Sequence, residues 1–404
     1  MKNIIFLIVA SIGMISCNTS KDINNDLLNG KPGILNEKLS DGLQQGAIDI
    51  FKQSVKTESS DKNVIISPLS IQYAVGMAAN GASGNTLDEI MKIFGTSSDK
   101  LQEVNSNLKA IKEKVAGNSK DYTLGIANAV FYDASKYQMA GNYENILNAD
   151  YAAKLQQLNF GNVSESLKNI NNWVAANTEQ RIQKVLEEIQ DNEFMFLINA
   201  LYMKASWDKP FVAEATRNID FKDSKELTHV VSLMNQRDNI SYYKTEDEKA
   251  IVLPMAGNKL EAIFILPQKL NVIDYISTIN NEGIKKISSS AKVQDLMIGL
   301  PKTELSLKYD LKPILENMGV KTAFTQQADF TKMGVASNKI LLTRALHDVF
   351  FKMDEKGIEG AAVTTIGVGV TSMPEYVEFN KPFVMIIKDT ATGTYLFMGK
   401  VEKP

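Results

Sequence analysis

From Asp354 to Phe383 the chain reads DEKGIEGAAVTTIGVGVTSMPEYVEFNKPF, a charged turn that passes into small and β-branched residues and carries no charge from Gly360 to Pro374. Gly, Ala, Val, Thr and Ile are the set that packs on a pleated surface. Read with period two, Ile358, Gly360, Ala362, Thr364, Ile366, Val368 and Val370 share one face, and Glu359, Ala361, Val363, Thr365, Gly367 and Gly369 the other. The bulky apolar residues concentrate on the first face, as on a half-buried strand. Glycines at 360, 367 and 369 weaken the segment as a permanent strand, because glycine costs order and packs nothing. The segment is able to become a strand, with some reluctance; an ordinary sheet strand carrying glycines would look similar.

The amino terminus sets the compartment. Residues 1–17, MKNIIFLIVASIGMISC, have a positive start at Lys2 and an apolar run from Ile4 to Ile15, too short for the roughly 20 residues a bilayer-spanning helix needs. The run ends at Met14-Ile15-Ser16-Cys17, which resembles a bacterial lipobox, with residues 1–16 as signal peptide and Cys17 as the lipidated mature terminus. A plain secretory signal cut near Ser16 is the alternative. Cys17 is the sole cysteine, so no intrachain disulfide can form. Residues 17–41 are polar and lack sustained periodicity, as a flexible tether would be. Ser20-Lys21-Asp22 resembles acidic surface-export signals of Bacteroidetes lipoproteins. The expected location is an exported outer-membrane lipoprotein leaning toward the cell surface, meeting the membrane through its lipid anchor only.

Residues 42–404 carry no repeat, low-complexity tract or internal linker and read as one large mixed α+β domain. From Leu43 the spacing is helical, with Leu43, Ala47, Ile50, Phe51 and Val55 on one face. Ser67-Pro68 supplies an N-cap and a first-turn proline. Asn85 to Ile90 opens a short helix, and a longer one is expected from Glu165 to Arg181, with Leu167, Ile170, Trp173 and Val174 on its face. Strands are expected around 126–132, 250–255, 260–267, 295–301, 340–353, 383–389 and 395–401. The apolar run FMFLINALYM (194–203) reads as a strand buried on both faces.

Chemistry-bearing motifs are sparse. Two histidines, His229 and His347, stand outside any HExxH or Cys/His cluster, so a zinc site is not expected. There is no phosphate-cradling glycine loop, and no GxSxG elbow supports a serine triad, so the chain does not read as an enzyme. A net charge of −3 gives no basic footprint for nucleic acid.

Several separated segments together resemble the serpin family, from about residue 43 to the end. Asn63-Val-Ile-Ile-Ser67-Pro68-Leu-Ser70 is similar to the start of the family's helix B, and Gly81 to Ile90 continues it. Ile170-Asn-Asn-Trp173-Val174 resembles the helix F motif. Asn199-Ala-Leu-Tyr-Met-Lys-Ala-Ser-Trp207, followed by Lys209-Pro210-Phe211, resembles the third strand of the main sheet. Leu300-Pro301-Lys302 and Phe379-Asn380-Lys381-Pro382-Phe383 fit later landmarks. The resemblance implies a five-stranded main sheet, two smaller sheets, about eight or nine helices and an exposed reactive-centre loop from Glu355 to Ser372. Its hinge would be Glu355, Gly357, Ile358, Glu359, Gly360, Ala361 and Ala362, where small residues let a cleaved loop slide into the sheet. Ile358 departs from the family's usual threonine but should still bury.

What the resemblance implies for function is a suicide-substrate inhibitor of serine proteases: loop cleavage, acyl-enzyme trapping and loop insertion. Counting back from Phe379-Asn380 along the commonest loop length puts the scissile bond at Thr371–Ser372, with Val370–Thr371 as the alternative. No Lys or Arg lies between Gly357 and Lys381, so elastase-like or subtilisin-like targets are expected over trypsin-like ones, with papain-type cysteine proteases a further class. Ser67, Ser70, Asn199 and His347 resemble the polar cluster beneath the sheet's opening point. Lys302 with Glu355, near Trp207, resembles the pair and aromatic where insertion begins. No cofactor is implied, and a monomer is expected. The other reading is a non-inhibitory serpin acting as a surface binding module, although the proline or charge that usually spoils such a hinge is missing here.

Overall fold

The computed structural model describes residues 35–359 and 374–404. The signal segment with Cys17, and the hinge and scissile residues Gly360, Ala361, Ala362, Val370, Thr371 and Ser372, lie outside those residues.

Polar caps, more than apolar periodicity, decide where the first helices begin. Helix α1 (Glu37–Thr57) buries Leu43, Ala47, Ile50, Phe51 and Val55 as expected. It starts at Glu37 and not near Leu43, because Asn36 Oδ1 accepts the Leu39 amide while the Asn36 amide donates to Asn107 Oδ1. Helix α2 (Pro68–Gly81) follows the Ser67 cap, whose Oγ accepts from the Ser70 amide, with Pro68 in the first turn. Its small residues let it lie between two sheets, against a main-sheet strand on one side and a carboxyl-terminal strand on the other. Helices α3 (Gly84–Met91), α4 (Leu101–Val115), α5 (Gly141–Ala149), α6 (Val163–Asn177), α7 (Val272–Thr278), α8 (Asn281–Ser290) and α9 (Lys312–Asn317) complete nine among the described residues.

The main sheet runs β12 (Thr303–Asp310), β14 (Leu346–Asp354), β15 (Gly357–Ile358), β6 (Met195–Ser206), β3 (Tyr122–Asp133) and β2 (Gly117–Asn118), with β5 (Ala153–Leu158) parallel to β3. It has seven strands where five were expected, because β15 and β2 are two-residue pieces added to five long ones. The two smaller sheets run together into one of nine strands: β1 (Val64–Ile66), β18 (Tyr395–Val401), β17 (Phe383–Asp389), β10 (Leu260–Pro267), β9 (Glu248–Met255), β8 (Thr228–Lys244), β11 (Lys292–Pro301) and β16 (Glu375–Glu378), with β7 (Arg217–Lys222) on β8. The long β8 joins them, pairing β7 near its start, β11 through its middle and β9 at its end. A ribbon of β4 (Tyr137–Met139) and β13 (Gly334–Ala336) stands apart.

Three further expectations need correction, two in strands of the main sheet and one in a helix. The β14 strand begins at Leu346, because residues 340–345 form no ladder: Leu342 donates to Ala323 O and Ala345 O accepts from Leu311. Helix α6 stops at Asn177, where Thr178 Oγ1 turns back to Val174 O and Glu179 and Gln180 take left-handed backbone angles. Strand β6 is not buried on both faces; most of its first half is only half-buried. The cause is its neighbour. Among the described residues β6 and β14 share no ladder with each other, and only Gly357 and Ile358 stand between them.

Candidate functional site

Below Ile358 the facing edges of β6 and β14 diverge around a cavity of about 180 Å³. Phe196, Ile198 and Asn199 line one wall, His347, Asp348 and Phe350 the other, and α2 forms the floor. Helix α6 covers the outer face of β3 and β6, where Phe131 meets Trp173 edge-on and Ile170 and Leu186 join a small apolar cluster. A sheet held open this way leaves backbone donors and acceptors available to a further strand.

At the upper end, the predicted insertion-start residues come together. Lys302 Nζ lies 2.9 Å from Glu355 Oε2, and Thr216 Oγ1 donates to Glu355 Oε1 at 2.8 Å. Burial opposes ionisation of Glu355, but Lys302 and Thr216 outweigh it and hold its carboxyl below the usual range. Trp207, buried against Phe211 and Phe264, donates its indole N–H to Asp354 O and its amide to Lys356 O. These bonds fasten the turn that aims the chain at the slot.

Gly357 then enters at φ +141°, and a Cβ there would stand 2.1 Å from Ala205 O, so only glycine fits between the strands. Ile358 pairs with Met353 on one side and Ala205 on the other and is 2% exposed. Within the loop expected from Glu355 to Ser372, Gly357 and Ile358 thus pair in the sheet. Ile358 is already in the sheet, and its burial there contributes about 2 kcal/mol. Glu359 leaves the strand at φ +50°. Its carboxylate accepts from Tyr202 Oη at 2.9 Å and sits 3.0 Å from Arg181 Nε. Neither Arg181 nor Tyr202 was singled out from the sequence, since an exposed arginine past a helix end and a strand tyrosine carry no signal alone.

Deeper in the slot, the predicted polar cluster divides in two. Ser67, Ser70 and His347 form one half: the Ser67 amide donates to His347 Nε2 at 3.1 Å, which places the ring proton on Nδ1. Burial lowers His347 to about 3, so the ring is neutral, and Tyr309 stacks against it. Asn199 does not reach this half. Its amide donates to Asn128 Oδ1 at 2.8 Å across β3, and its own Oδ1 is buried without a hydrogen-bond partner. All four residues nevertheless line the same cavity, from opposite walls. Asn128, which the sequence did not mark, anchors the β3 side by donating to Tyr151 O.

On the outward side of β14, burial pushes the Asp348 carboxyl up to about 6, with Lys308 3.6 Å away. Lys308 also donates to Lys184 O in the segment after α6, tying that segment to the slot's edge.

Residues 41–404 match a family model described as serpin, serine protease inhibitor. Human Serpin B13 is 30% identical over 382 residues, covering 88% of this chain and 97% of that protein. Among solved structures, the native state of the thermophilic serpin tengpin superposes with a TM-score of 0.84 at 28% identity, covering 93% of this chain and 96% of that one. Human thyroxine-binding globulin complexed with its hormone gives a TM-score of 0.82 at 25% identity, covering 91% and 99%.

Proposed function

The chain belongs to the serpin family, and on that premise we propose that it inhibits proteases as a suicide substrate whose cleaved loop becomes a strand in the slot between β6 and β14. The observation that carries this reading is the register of β15. Ile358 lies opposite Ala205 and Met353. Continued along both walls, the same register would set Gly360 between Met203 and Phe351, Ala362 between Leu201 and Val349, and Thr364 between Asn199 and His347. These are the core-facing positions, and the loop offers small residues at the first two and a hydroxyl beside the unpartnered Asn199 Oδ1. Residue chemistry and slot chemistry agree position by position.

The reaction then follows. The protease serine attacks the Thr371 carbonyl, the bond to Ser372 breaks, and the Ser372 amine leaves with a proton. An ester now links Thr371 to the protease. Freed from Ser372, the segment is drawn down the sheet, forming ladders on both sides. Twelve residues of strand carry the ester on the order of 40 Å from the hinge. Inhibition results if that movement distorts the protease before water attacks the ester.

Residues Val368 to Met373 are small or apolar, which favours elastase-like or subtilisin-like targets. Incubation with pancreatic elastase followed by denaturing electrophoresis tests the reading: a band at the summed mass, stable to boiling in detergent, is expected. Cleavage without such a band would defeat it. It would also favour the second reading, a binding module, which the likeness to thyroxine-binding globulin keeps in view. We further propose attachment to the outer membrane through a lipidated Cys17; unchanged membrane partition of Cys17→Ala would exclude it.

A further inference from the structure

The register also shows what stands in the loop's way. Two residues beyond Glu359, Ala361 would pass between Tyr202 of β6 and Phe350 of β14, on the outward side of the sheet. That passage is occupied. The Glu359 carboxylate reaches forward over it and accepts from Tyr202 on one wall. Arg181 pairs with the same carboxylate and lies over the Phe350 ring, 5.3 Å from its centroid, on the other wall. Together they span the slot immediately ahead of the resting hinge, above a small void that Arg181, Tyr202, Phe350 and Glu359 all line.

The backbone supports the same picture. Glu359 sits at φ +50°, a region that side-chain-bearing residues seldom take. Its Oε1 is close to Arg181 Nε but outside hydrogen-bonding geometry with any donor. Had the strand continued straight, Glu359 would stand opposite Lys204 and Lys352 on the same outward face. An extended Glu359 would therefore trade one cation for two, and its charge would not stall insertion. Arg181 can reach across only because α6 ends at Asn177 and Glu179 and Gln180 turn the chain back over the sheet.

We propose that Arg181 is a positioning residue of the insertion reaction: with Glu359 and Tyr202 it forms a crossbar that sets the resting depth of the hinge and must open before Ala361 can enter. This rests on the slot being the site of loop insertion. Because the crossbar includes the segment after α6, its opening also removes one of that segment's ties to the slot, leaving the Lys308–Lys184 bond in place.

A labelled peptide with the sequence of residues 360–371, incubated with the intact chain, reads the opening directly and needs no protease. Its uptake is followed by native electrophoresis. Arg181→Ala is expected to speed uptake roughly five-fold, as losing a partly exposed ion pair of about 1 kcal/mol would allow. Tyr202→Phe should speed it less, Arg181→Lys should stay near the unaltered rate, and Glu359→Gln combined with Arg181→Ala should be no faster than Arg181→Ala alone. General loosening of the fold would instead give additive effects and no rescue by lysine. An Arg181→Ala rate within two-fold of the unaltered chain, or additivity in the double variant, overturns the crossbar. Absence of uptake by the unaltered chain overturns the insertion reading beneath it.

Discussion

Acidification should set two adjacent residues of β14 against each other. His347 faces the core and is lowered by burial to about 3 from an ordinary 6.5. Below about pH 6.5 the unfolded chain takes a proton that the native chain refuses, so this residue's contribution falls as pH falls. Between pH 7 and about 4.5 the separation removes roughly 2–3 kcal/mol. Asp348 faces the opposite side of the sheet and is raised by burial to about 6 from 3.8. There the native chain takes the proton first, and stability rises by about 2 kcal/mol over the same interval. The two changes oppose each other. Urea midpoints of the unaltered chain, His347→Gln and Asp348→Asn at the two pH values would expose the balance. Relative to the unaltered chain, His347→Gln should gain roughly 2–3 kcal/mol on acidification and Asp348→Asn should lose about 2 kcal/mol. Glutamine keeps an acceptor for the Ser67 amide, so the variant is expected to fold. If both variants track the unaltered chain between the two pH values, neither side chain is titrating as its burial requires, and the account of the slot walls is wrong.

The other predictions concern the loop. Cleavage within residues 368–373 should raise the melting temperature by well over the 2–4 °C that about 1 kcal/mol gives even a smaller domain of 150–250 residues, because an added central strand gains two ladders; a nicked chain melting no higher than the intact one would contradict insertion. Ala362→Arg should convert inhibitor to substrate with the native fold intact, since on insertion the continued register would set it between Leu201 and Val349, where an unpaired charge costs several kcal/mol; a normal yield of elastase complex would show that insertion need not pass this point. Thr371→Arg should redirect inhibition toward trypsin-like proteases, whose pocket acid can pair with a guanidinium, and mass spectrometry of the released fragment should show Ser372 as the new amino terminus. Cleavage outside residues 368–374 would refute the register count.

The parts legible in the sequence were those governed by neighbours along the chain. Ser67-Pro68 announced the start of α2 because capping is local, and the apolar runs of β17 and β18 marked both strands residue for residue because all but Lys388 are buried. Strands β8 and β12 escaped notice, since interrupted or alternating burial leaves no long apolar run. The scattered motifs that resemble a serpin were enough to identify the family, and they named Lys302 and Glu355, which the structure pairs. What tertiary structure alone decided was where those residues sit. Sequence made Ile358 part of a loop; only the gap between β6 and β14 makes it a strand residue at rest. Sequence grouped Asn199 with His347; the open sheet keeps them on opposite walls. Arg181, Tyr202 and Glu359 meet from three distant stretches of chain, brought together by a helix end, a sheet edge and a reversed backbone angle. Pairing across a gap depends on where two strands stop touching, and periodicity along either strand does not record that.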